Sequence, residues 1–220
     1  METLQETSRP RRVDRRSAIL EIAREAFLKD GYAATSMSHI AARVGGSKAT
    51  LYSLFPSKKE LFVAVADLES TRILDAIFDV PEMGGEPKAA LTGLCRNVLC
   101  EVLSDDMIAC YRLIVSESAR VPEVGRATYE LGIRRGLERL AVYFRQMMQS
   151  GALRTANSLI AAESFLDLTT GYLHKQRLWN VVARFNGEAL DAEVERIVAT
   201  FLAAYGNDAL SRAAREYTGI

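Results

Sequence analysis

Residues 36–60 read SMSHIAARVGGSKATLYSLFPSKKE, a stretch that predicts two short helices joined by a glycine turn. The first helix would follow the N-cap Ser36 and end at the glycine pair 45–46. The second would follow Ser47 and end before Pro56, because the residue that precedes a proline is disfavoured in helical conformation. Two short helices joined in this way form the helix-turn-helix arrangement, so the stretch predicts that motif.

Longer helices are predicted on both sides of the motif. Upstream, apolar side chains at helical spacing predict a helix over about 15–29, with Asp14 as its N-cap and Gly31 just beyond its end. Downstream, Ser57 and Glu60 form a capping-box pattern that starts a further helix. The two short helices would therefore be braced by longer ones.

Helical periodicity continues through the rest of the chain, and no segment shows the sustained alternation that is typical of a strand. The stretch 79–88, DVPEMGGEPK, interrupts the periodicity with two prolines and two glycines. Further helices are predicted over about 57–78, 88–103, 106–118, 123–149, 158–175 and 190–205. The predicted fold class is all-α, with an N-terminal three-helix helix-turn-helix head followed by a helical-bundle domain.

Charge is divided unevenly along the chain. Residues 1–60 carry 11 Lys and Arg against 7 Asp and Glu, a balance of +4, whereas the whole chain is neutral with 28 of each. A basic N-terminal part on an acidic body is typical of a module that faces nucleic acid, and a solvated tail is the alternative because five arginines over 9–16 supply much of the charge. The predicted organisation is a flexible basic arm over 1–13, the head over 14–60, the helical domain over 61–210 and a C-terminal tail over 211–220.

The composition, with 49% hydrophobic and 25% charged residues, is typical of a globular protein. No apolar run approaches the ~18 residues of a membrane-spanning helix, and the N-terminus lacks the apolar stretch of a secretory signal, so a cytoplasmic protein is expected. Cys95, Cys100 and Cys110 and two distant histidines form no metal-ligand spacing. Neither a disulfide framework nor a metal or other cofactor is therefore expected.

Catalytic motifs are also missing from the sequence. It contains no G-x-S-x-G, no P-loop glycine cluster and no H-E-x-x-H, which predicts that the chain is not an enzyme. A site made of carboxylates alone, for example Glu117 or Glu163, stays open as the enzymatic alternative.

The outward face of the second short helix is small and rich in hydrogen-bonding groups. With Leu51 facing inward, the side chains that point outward or flank that face are Lys48, Ala49, Thr50, Tyr52 and Ser53. Such a face suits the major groove of DNA, where Thr and Ser bond base edges, Ala contacts a thymine methyl and Lys reaches guanine or phosphate.

Phosphate contacts are expected around this helix. The helix N-termini at Ser36, Ser47 and Ser57 would offer exposed amides to phosphate oxygens. Lys58 lies in the first turn of its helix, where a cation opposes the helix dipole and an external phosphate would compensate for it. The candidates for an arm that enters the minor groove or follows the phosphates are Arg11, Arg12, Arg15 and Arg16.

The stretch AREAFLKDGYAATSMSHIAARVGGSKATLYSLFPSKKELF, residues 23–62, resembles the tetracycline-repressor (TetR/AcrR) family of bacterial transcriptional regulators. The resemblance runs from Arg16 to Val65. It implies that Thr35, Ser36 and Lys58 bind phosphates of the DNA backbone. It also implies that the C-terminal helices bind a small ligand and dimerise. The predicted DNA-binding residues are Thr35, Ser36, Ser47, Lys48, Ala49, Thr50, Tyr52, Ser53 and Lys58.

Two positions depart from the family pattern. Gly46 stands where the family usually has Val, Ile or Met between the two short helices, so a looser turn is expected. Leu54 stands where a polar residue often touches the DNA backbone, so one phosphate contact is expected to be missing. Further along, YRLIVSESARVPEVGRATYELG, residues 111–132, resembles AefR-like and AcrR-like members, many of which repress efflux-pump genes.

Two C-terminal helices carry more apolar surface than one packing partner needs. The helix over 158–175 has two apolar stripes, and the helix over 190–205 has another. A four-helix interface between two copies of the chain is the hypothesis, and a helix central to its own monomer is the alternative. The predicted dimer-interface residues are Leu159, Ala162, Phe165, Leu166, Leu168, Tyr172, Leu173, Val194, Ile197, Val198, Phe201, Leu202 and Tyr205.

Aromatic and methionine side chains in the C-terminal domain are candidates for an effector pocket, with plain core packing as the alternative for each. The predicted effector-binding residues are Tyr111, Phe144, Met148, Phe165, His174 and Trp179.

Taken with the resemblance, these patterns predict a cytoplasmic homodimeric regulator that binds specific DNA sequences, namely a repressor released from a palindromic operator by a small apolar or aromatic effector. An efflux system is the candidate target. The expected partners are double-stranded DNA, the effector and a second copy of the chain, with no membrane. The alternative from another class is a helical bundle that binds a small molecule or a protein and has no operator.

Overall fold

The computed structural model describes residues 9–79 and 86–218, and within these ranges every extended regular segment is helical. One isolated β-bridge in this part of the chain joins Leu153 to Gly206. The prediction of an all-α fold is confirmed. No helix of the described ranges is long and apolar enough to cross a membrane.

The helices are named in chain order. They are α1 Arg9–Ala34, α2 Met37–Val44, α3 Lys48–Leu54, α4 Lys58–Ile77, α5 Pro87–Val102, α6 Asp105–Ser118, α7 Pro122–Thr128, a π-helical segment Tyr129–Arg134, α8 Arg135–Gln149, α9 Ser158–Thr170, α10 Tyr172–Leu178, α11 Gly187–Tyr205 and α12 Asp208–Thr218.

The helices group into two compact units, each of which is discontinuous in sequence. The first unit takes the described residues up to Ser70 and then Leu113–Leu131, and the second takes Thr71–Arg112 and the described residues from Gly132 onward. The boundaries fall inside α4, inside α6 and inside the π-helical segment. The continuous domains predicted over 14–60 and 61–210 differ from this division, because the end of α6 and all of α7 belong to the first unit.

The core of the first unit holds the two short helices against α1 and α4. Ile40 of α2 and Leu51 of α3 are almost completely buried there. An aromatic cluster lies beside them, in which the rings of Phe27, Tyr32 and Phe62 have centroids 5.2 to 5.8 Å apart. Because these apolar side chains are buried, the rotation of α2 and α3 about their own axes is fixed.

α1 begins at Arg9, well before the predicted start, so Asp14 is not its N-cap. Pro10 lies in the first turn, where its missing N–H costs no hydrogen bond, and arginines favour the helix that follows. The predicted flexible arm is therefore helical from Arg9 onward. Its residues 1–8 lie outside the described residues.

Gly31 interrupts α1 where the sequence predicts the end of the helix. Its backbone has φ 83° and ψ 164°, a region that is open almost only to glycine. The side chains of Leu113 and Glu117 from α6 lie next to it, since a β-carbon at position 31 would be 3.0 Å from Oε1 of Glu117. The break in α1 is thus lined by another segment of the same unit.

The core of the second unit is formed mainly by α5, α8, α9 and α11. Phe144, Phe165 and Phe201 lie at its centre, fully buried, with ring centroids 5.0 to 5.4 Å apart. These edge-to-face and tilted contacts add to the burial of apolar area.

Three helix boundaries in this unit and its neighbour differ from the prediction. The helix predicted over 158–175 is two helices, because Gly171 leaves the helical region between α9 and α10. The helix predicted over 123–149 contains the π-helical segment between α7 and α8. The predicted tail over 211–220 is mostly α12, which Asn207 caps by accepting the N–H of Leu210 at 3.1 Å.

Candidate nucleic-acid interface

α3 is held in one orientation by its cap and its single buried side chain. Ser47 Oγ accepts the N–H of Thr50 at 3.1 Å, which confirms the predicted N-cap, and Leu51 is 2% exposed. Phe55 leaves the helix in extended conformation before Pro56, as predicted. The outward side chains are exposed at Lys48, Ala49, Tyr52 and Ser53 and partly exposed at Thr50.

Serine side chains cap α2 and α4 as well. Ser36 accepts the N–H of His39, and Ser57 accepts the N–H of Glu60, each at 3.1 Å. Gly45 ends α2 in the left-handed conformation, with φ 69°. Because each serine hydroxyl already satisfies a first-turn amide, what these helix starts offer to an external group is their remaining amides.

Thr35 does not lie on the surface that the resemblance implies. It is 3% exposed, and its hydroxyl donates to the carbonyl oxygens of Gly31 at 2.7 Å and Ala26 at 3.2 Å. The side chain closes the end of α1 and has no route to a phosphate. The predicted phosphate contact from this hydroxyl is wrong, because the hydroxyl is buried and bonded to the backbone.

Lys58 is also used inside the protein. Its ammonium group donates to the carbonyl oxygens of Tyr32, Ala33 and Thr35, at 2.9, 3.1 and 3.0 Å, and lies 4.6 Å from the centroid of the Tyr32 ring. An ammonium group has three hydrogens, so these three bonds use its full donor capacity. Lys58 caps the C-terminal carbonyls of α1, and the predicted phosphate contact is corrected to this structural role.

The other cations of the first unit differ in whether a carboxylate already holds them. Arg43 pairs with Glu25 at 2.5 Å, and Arg24 pairs with Glu69 at 3.1 Å. Lys48 is exposed, and no ion pair joins it to any residue that the structure describes. The positive charge of Lys48 on the outward face of α3 is thus available to a phosphate.

The turn between α2 and α3 is filled from α1. Arg15 lies over Gly46, because a β-carbon at position 46 would be only 2.5 Å from the Nη2 atom of the arginine. Arg16, the next residue, places its guanidinium 5.2 Å from the centroid of the Phe55 ring. The looser turn expected at Gly46 is therefore not what the structure shows.

Sequence reasoning placed Arg15 in an arm and missed this contact. The available signal was Gly46 itself, which leaves room for a long side chain from a neighbouring helix. Leu54 is partly buried against the core.

The predicted effector residues do not form one pocket. Phe144 and Phe165 are packed core residues, Met148 is partly buried against the same core, and Trp179 is 71% exposed. The two phenylalanines are therefore core residues, and the tryptophan lies on the surface.

Tyr111 and His174 do come together. Their rings meet edge to face, with centroids 4.7 Å apart, and His174 is 7% exposed. Its Nε2 atom is buried and has no hydrogen-bond partner among the residues that the structure describes. Burial lowers the pKa of His174 and raises the pKa of the Tyr111 hydroxyl, so both side chains are neutral near pH 7.

A cavity of about 270 Å³ lies elsewhere in the second unit, and none of the predicted effector residues lines it. Arg177, 6% exposed, donates there to the carbonyl oxygen of Leu103 and to Asp105, which also binds Arg184. These two arginines hold the pKa of Asp105 below its usual value. Two sequence-distant stretches, 99–105 and 177–190, build this site, so no local pattern could have revealed it.

Most residues predicted at a dimer interface lie inside the second unit. Those that are buried are Ala162, Phe165, Leu173, Val194, Ile197, Val198, Phe201 and Leu202, and those partly buried against the core are Leu166, Leu168 and Tyr205. Because α9 and α11 are central to their own unit, the buried residues are corrected to core positions. Leu159 and Tyr172, 44% and 67% exposed, are the predicted interface residues that lie on the surface.

The helix-turn-helix head and the all-helical second unit together define a class, the helix-turn-helix regulatory proteins. Residues 19–65 match the family model described as bacterial regulatory proteins, tetR family, and residues 89–207 match the AefR-like transcriptional repressor, C-terminal domain. The chain belongs to the TetR family, with an AefR-like C-terminal domain. Membership in this family of regulators agrees with the prediction that the chain is not an enzyme.

Solved structures resemble the chain over most of its length. The flavonoid-responsive regulator FrrA is 30% identical with a TM-score of 0.78, over 89% of this chain and 98% of FrrA. A TetR-family transcriptional regulator from Mesorhizobium loti MAFF303099 is 27% identical with a TM-score of 0.77, over 91% of this chain and all of that one.

Curated relatives match the chain over shorter stretches than the solved structures do. The transcriptional activator FasR of Mycolicibacterium smegmatis is 48% identical over 54 residues, which are 24% of this chain and 25% of FasR. The chain matches between about a quarter and a third of the length of its curated relatives.

Proposed function

We propose that this protein is a transcriptional repressor that binds a palindromic DNA operator as a homodimer, in the cytoplasm, through α2 and α3. The observation that carries the proposal is the exposed, small and polar face of α3, held outward by the cap at Ser47 and the buried Leu51. Repression is favoured by the AefR-like repressor domain. The match to FasR, named an activator, covers only 24% of this chain and favours neither direction.

The side chains of the α3 face suggest how the operator is read. Ala49 leaves room for a close approach to a base pair and suits a thymine methyl, and Lys48 suits guanine or phosphate. The hydroxyls of Ser47 and Thr50 lie 2.9 Å apart, so a base contact from Thr50 would add to a bond that already orients it.

A homodimer would present two copies of α3 to successive major-groove faces, about 34–36 Å apart or a multiple of that distance. The inward faces of α9 and α11 are already buried in the core of the second unit. The proposed interface is therefore the outer side of α9 and α10. Leu159, Ile160 and Tyr172 are exposed there by 44%, 53% and 67%. If these side chains form one contiguous apolar patch, it is of the kind that another protein covers.

The proposed effector is a small aromatic compound that carries a hydroxyl group. A buried imidazole nitrogen without a partner costs about 1–3 kcal/mol, and an effector hydroxyl beside His174 and Tyr111 would satisfy it. The similarity to FrrA, which is named flavonoid-responsive, supports this class. An efflux system is the proposed target, on the resemblance of the C-terminal region to AefR-like members.

Selection of bound sequences from random duplex DNA, at two salt concentrations, tests operator binding. We expect enrichment of a palindrome, with affinity falling steeply as salt rises because phosphate contacts release counterions. Ala49→Asp should abolish enrichment, since a carboxylate would face the DNA, whereas Ala209→Asp, at an exposed position of α12, should not. Absence of enrichment by the wild-type protein after removal of bound small molecules would contradict operator binding.

The effector site is tested by release of the selected operator in the presence of hydroxylated flavonoids. His174→Leu should leave operator affinity unchanged and abolish release, because the hydrogen-bonding group is lost. Arg184→Ala, in the separate cavity, is the matched control and should release as the wild type does. Loss of response in the Arg184 variant alone would place the effector in that cavity instead.

A further inference from the structure

We propose that Arg15 is a phosphate-binding residue of the DNA interface, brought to the turn between α2 and α3 because position 46 is a glycine. This inference rests on the proposed operator binding. A β-carbon at Gly46 would lie 2.5 Å from Nη2, 3.5 Å from Cζ and 3.7 Å from Nε of Arg15. The guanidinium group therefore occupies the space that any other side chain at position 46 would take.

The turn gives the guanidinium a fixed support next to the proposed DNA-reading helix. The N–H of Gly46 donates to the carbonyl oxygen of Ala41 at 3.3 Å, which ties the turn to α2. The next residue, Ser47, is the N-cap of α3, and Lys48 begins its exposed face. Arg15 thus adds a second cation beside Lys48, where DNA phosphates would flank an inserted α3.

The donors of Arg15 are free of any partner whose side chain the structure describes. The residue is exposed, and no hydrogen bond or ion pair joins it to any side chain described from residue 16 onward. Two nearby arginines of this unit differ in this respect, since Arg24 and Arg43 are held by carboxylates. A guanidinium presents five donors in a planar fork that matches two phosphate oxygens, so an unpaired one beside a DNA-reading helix suits that ligand.

The position of Arg15 is set by α1. Arg16 lies over the Phe55 ring at the C-terminal end of α3, and Ile19, one turn further along α1, is 1% exposed in the core. The two neighbouring arginines therefore contact the two ends of the α3 segment, Gly46 before it and Phe55 after it. Because α1 is already helical at Arg15, little conformational entropy is lost there when DNA binds.

The test compares Arg15→Ala and Arg15→Lys with the wild type on the selected operator and on a random duplex, over a range of salt. Arg15→Ala should weaken binding to both duplexes and lower the salt slope by about one, as loss of one phosphate contact does. Arg15→Lys keeps the charge and should keep the slope. Arg145→Ala, an equal charge change at an exposed position of α8, is the control and should bind as the wild type does.

A second variant tests the role of the glycine. Gly46→Val should displace the guanidinium and reduce binding as Arg15→Ala does, and the double variant should bind no worse than Arg15→Ala alone. Position 46 is not among the residues with positive φ, so valine is compatible with the backbone. Thermal unfolding of each variant checks that the head is folded.

An unchanged salt slope in Arg15→Ala, on a duplex that the wild type binds, would overturn the proposal and leave operator binding standing. A lower affinity with an unchanged slope would assign Arg15 to positioning of the turn and would also overturn the phosphate contact. Absence of salt-dependent DNA binding in the wild type would instead refute the operator proposal, and this one with it.

Discussion

Lys58 shows why a basic side chain beside a helix-turn-helix motif is not by itself a DNA contact. Its ammonium group donates to three backbone carbonyls and lies over Tyr32. These carbonyls end α1, where the helix dipole is negative, so a cation is stabilising at that position. The charge near the motif therefore divides between groups that hold the fold and groups that face outward.

Lys58→Met keeps the aliphatic stem and removes the charged hydrogen bonds. Since hydrogen bonds of a charged group contribute about 1.5–3 kcal/mol, we expect the free energy of unfolding to fall by roughly that amount. Denaturant unfolding measures it, with Lys59→Met at the exposed neighbouring position as the control. Equal stability of the two variants would argue against the structural role.

His174 predicts a dependence of stability on pH. Burial lowers its pKa in the folded protein below the ordinary value of 6.5, so the unfolded chain binds the proton first as the pH falls. The contribution of the neutral His174 to the free energy of unfolding is fully present above pH 6.5. It is lost as the pH falls from there toward the pKa of His174 in the folded protein.

Thermal unfolding from pH 8 to 5 checks the sign of this effect. The loss of stability on acidification should be smaller in His174→Gln than in the wild type, whereas His39→Gln, at an exposed position, should retain it. A steeper loss in His174→Gln than in the wild type would contradict the buried neutral imidazole.

At the scale of helices, Gly31 interrupts α1 and Gly45 ends α2, each with positive φ but in different surroundings. Gly31 has φ 83° with ψ 164° and lies against Glu117, whereas Gly45 has φ 69° with ψ 27°, and a β-carbon added there would meet open space. Gly31→Ala should cost about 1–3 kcal/mol from backbone strain, with the close carboxylate adding to it.

Gly45→Ala should cost less, about 1 kcal/mol, because the ordinary left-handed region penalises a β-carbon less severely. Urea unfolding of the two variants gives the comparison. A larger loss for Gly45→Ala than for Gly31→Ala would contradict this account of the break in α1.

Helices whose ends are encoded by neighbouring residues could be predicted closely. Ser36, Ser47 and Pro56 act within one turn of themselves, and α2 and α3 begin and end where these residues require. The start of α1 was missed because Asp14 outweighed Pro10 as a signal. The break at Gly171 was missed because an isolated glycine in a helical pattern is also compatible with an unbroken helix.

At the scale of the whole molecule, the proposed dimer can be tested by changing one exposed side chain. Tyr172→Asp would place a charge in the proposed interface and should give a monomer at concentrations where the wild type is a dimer. Light scattering over a dilution series measures this, and Tyr129→Asp, at a position 50% exposed, is the control. A wild-type monomer at micromolar concentration would argue against the dimer.

Apolar stripes could not tell an interface from a core. Phe165, Ile197 and Phe201 were assigned to a dimer because each stripe was judged one helix at a time, yet α9 and α11 cover each other within one chain. The outward face of α3 was predicted correctly because a single buried residue, Leu51, fixes a short helix. A helix packed on several sides has no such simple marker.

The first unit consists of two separate stretches of sequence, which affects the order in which it can fold during translation. On the ribosome, α1 to α3 emerge early, but Leu113 and Glu117 beside Gly31, and Val124, 1% exposed, are translated only after the second unit has begun to appear. The head is therefore complete only once Leu131 has emerged. A gene fragment that stops at Ser70 would encode α1 to α3 without the segment Leu113–Leu131 that completes the first unit.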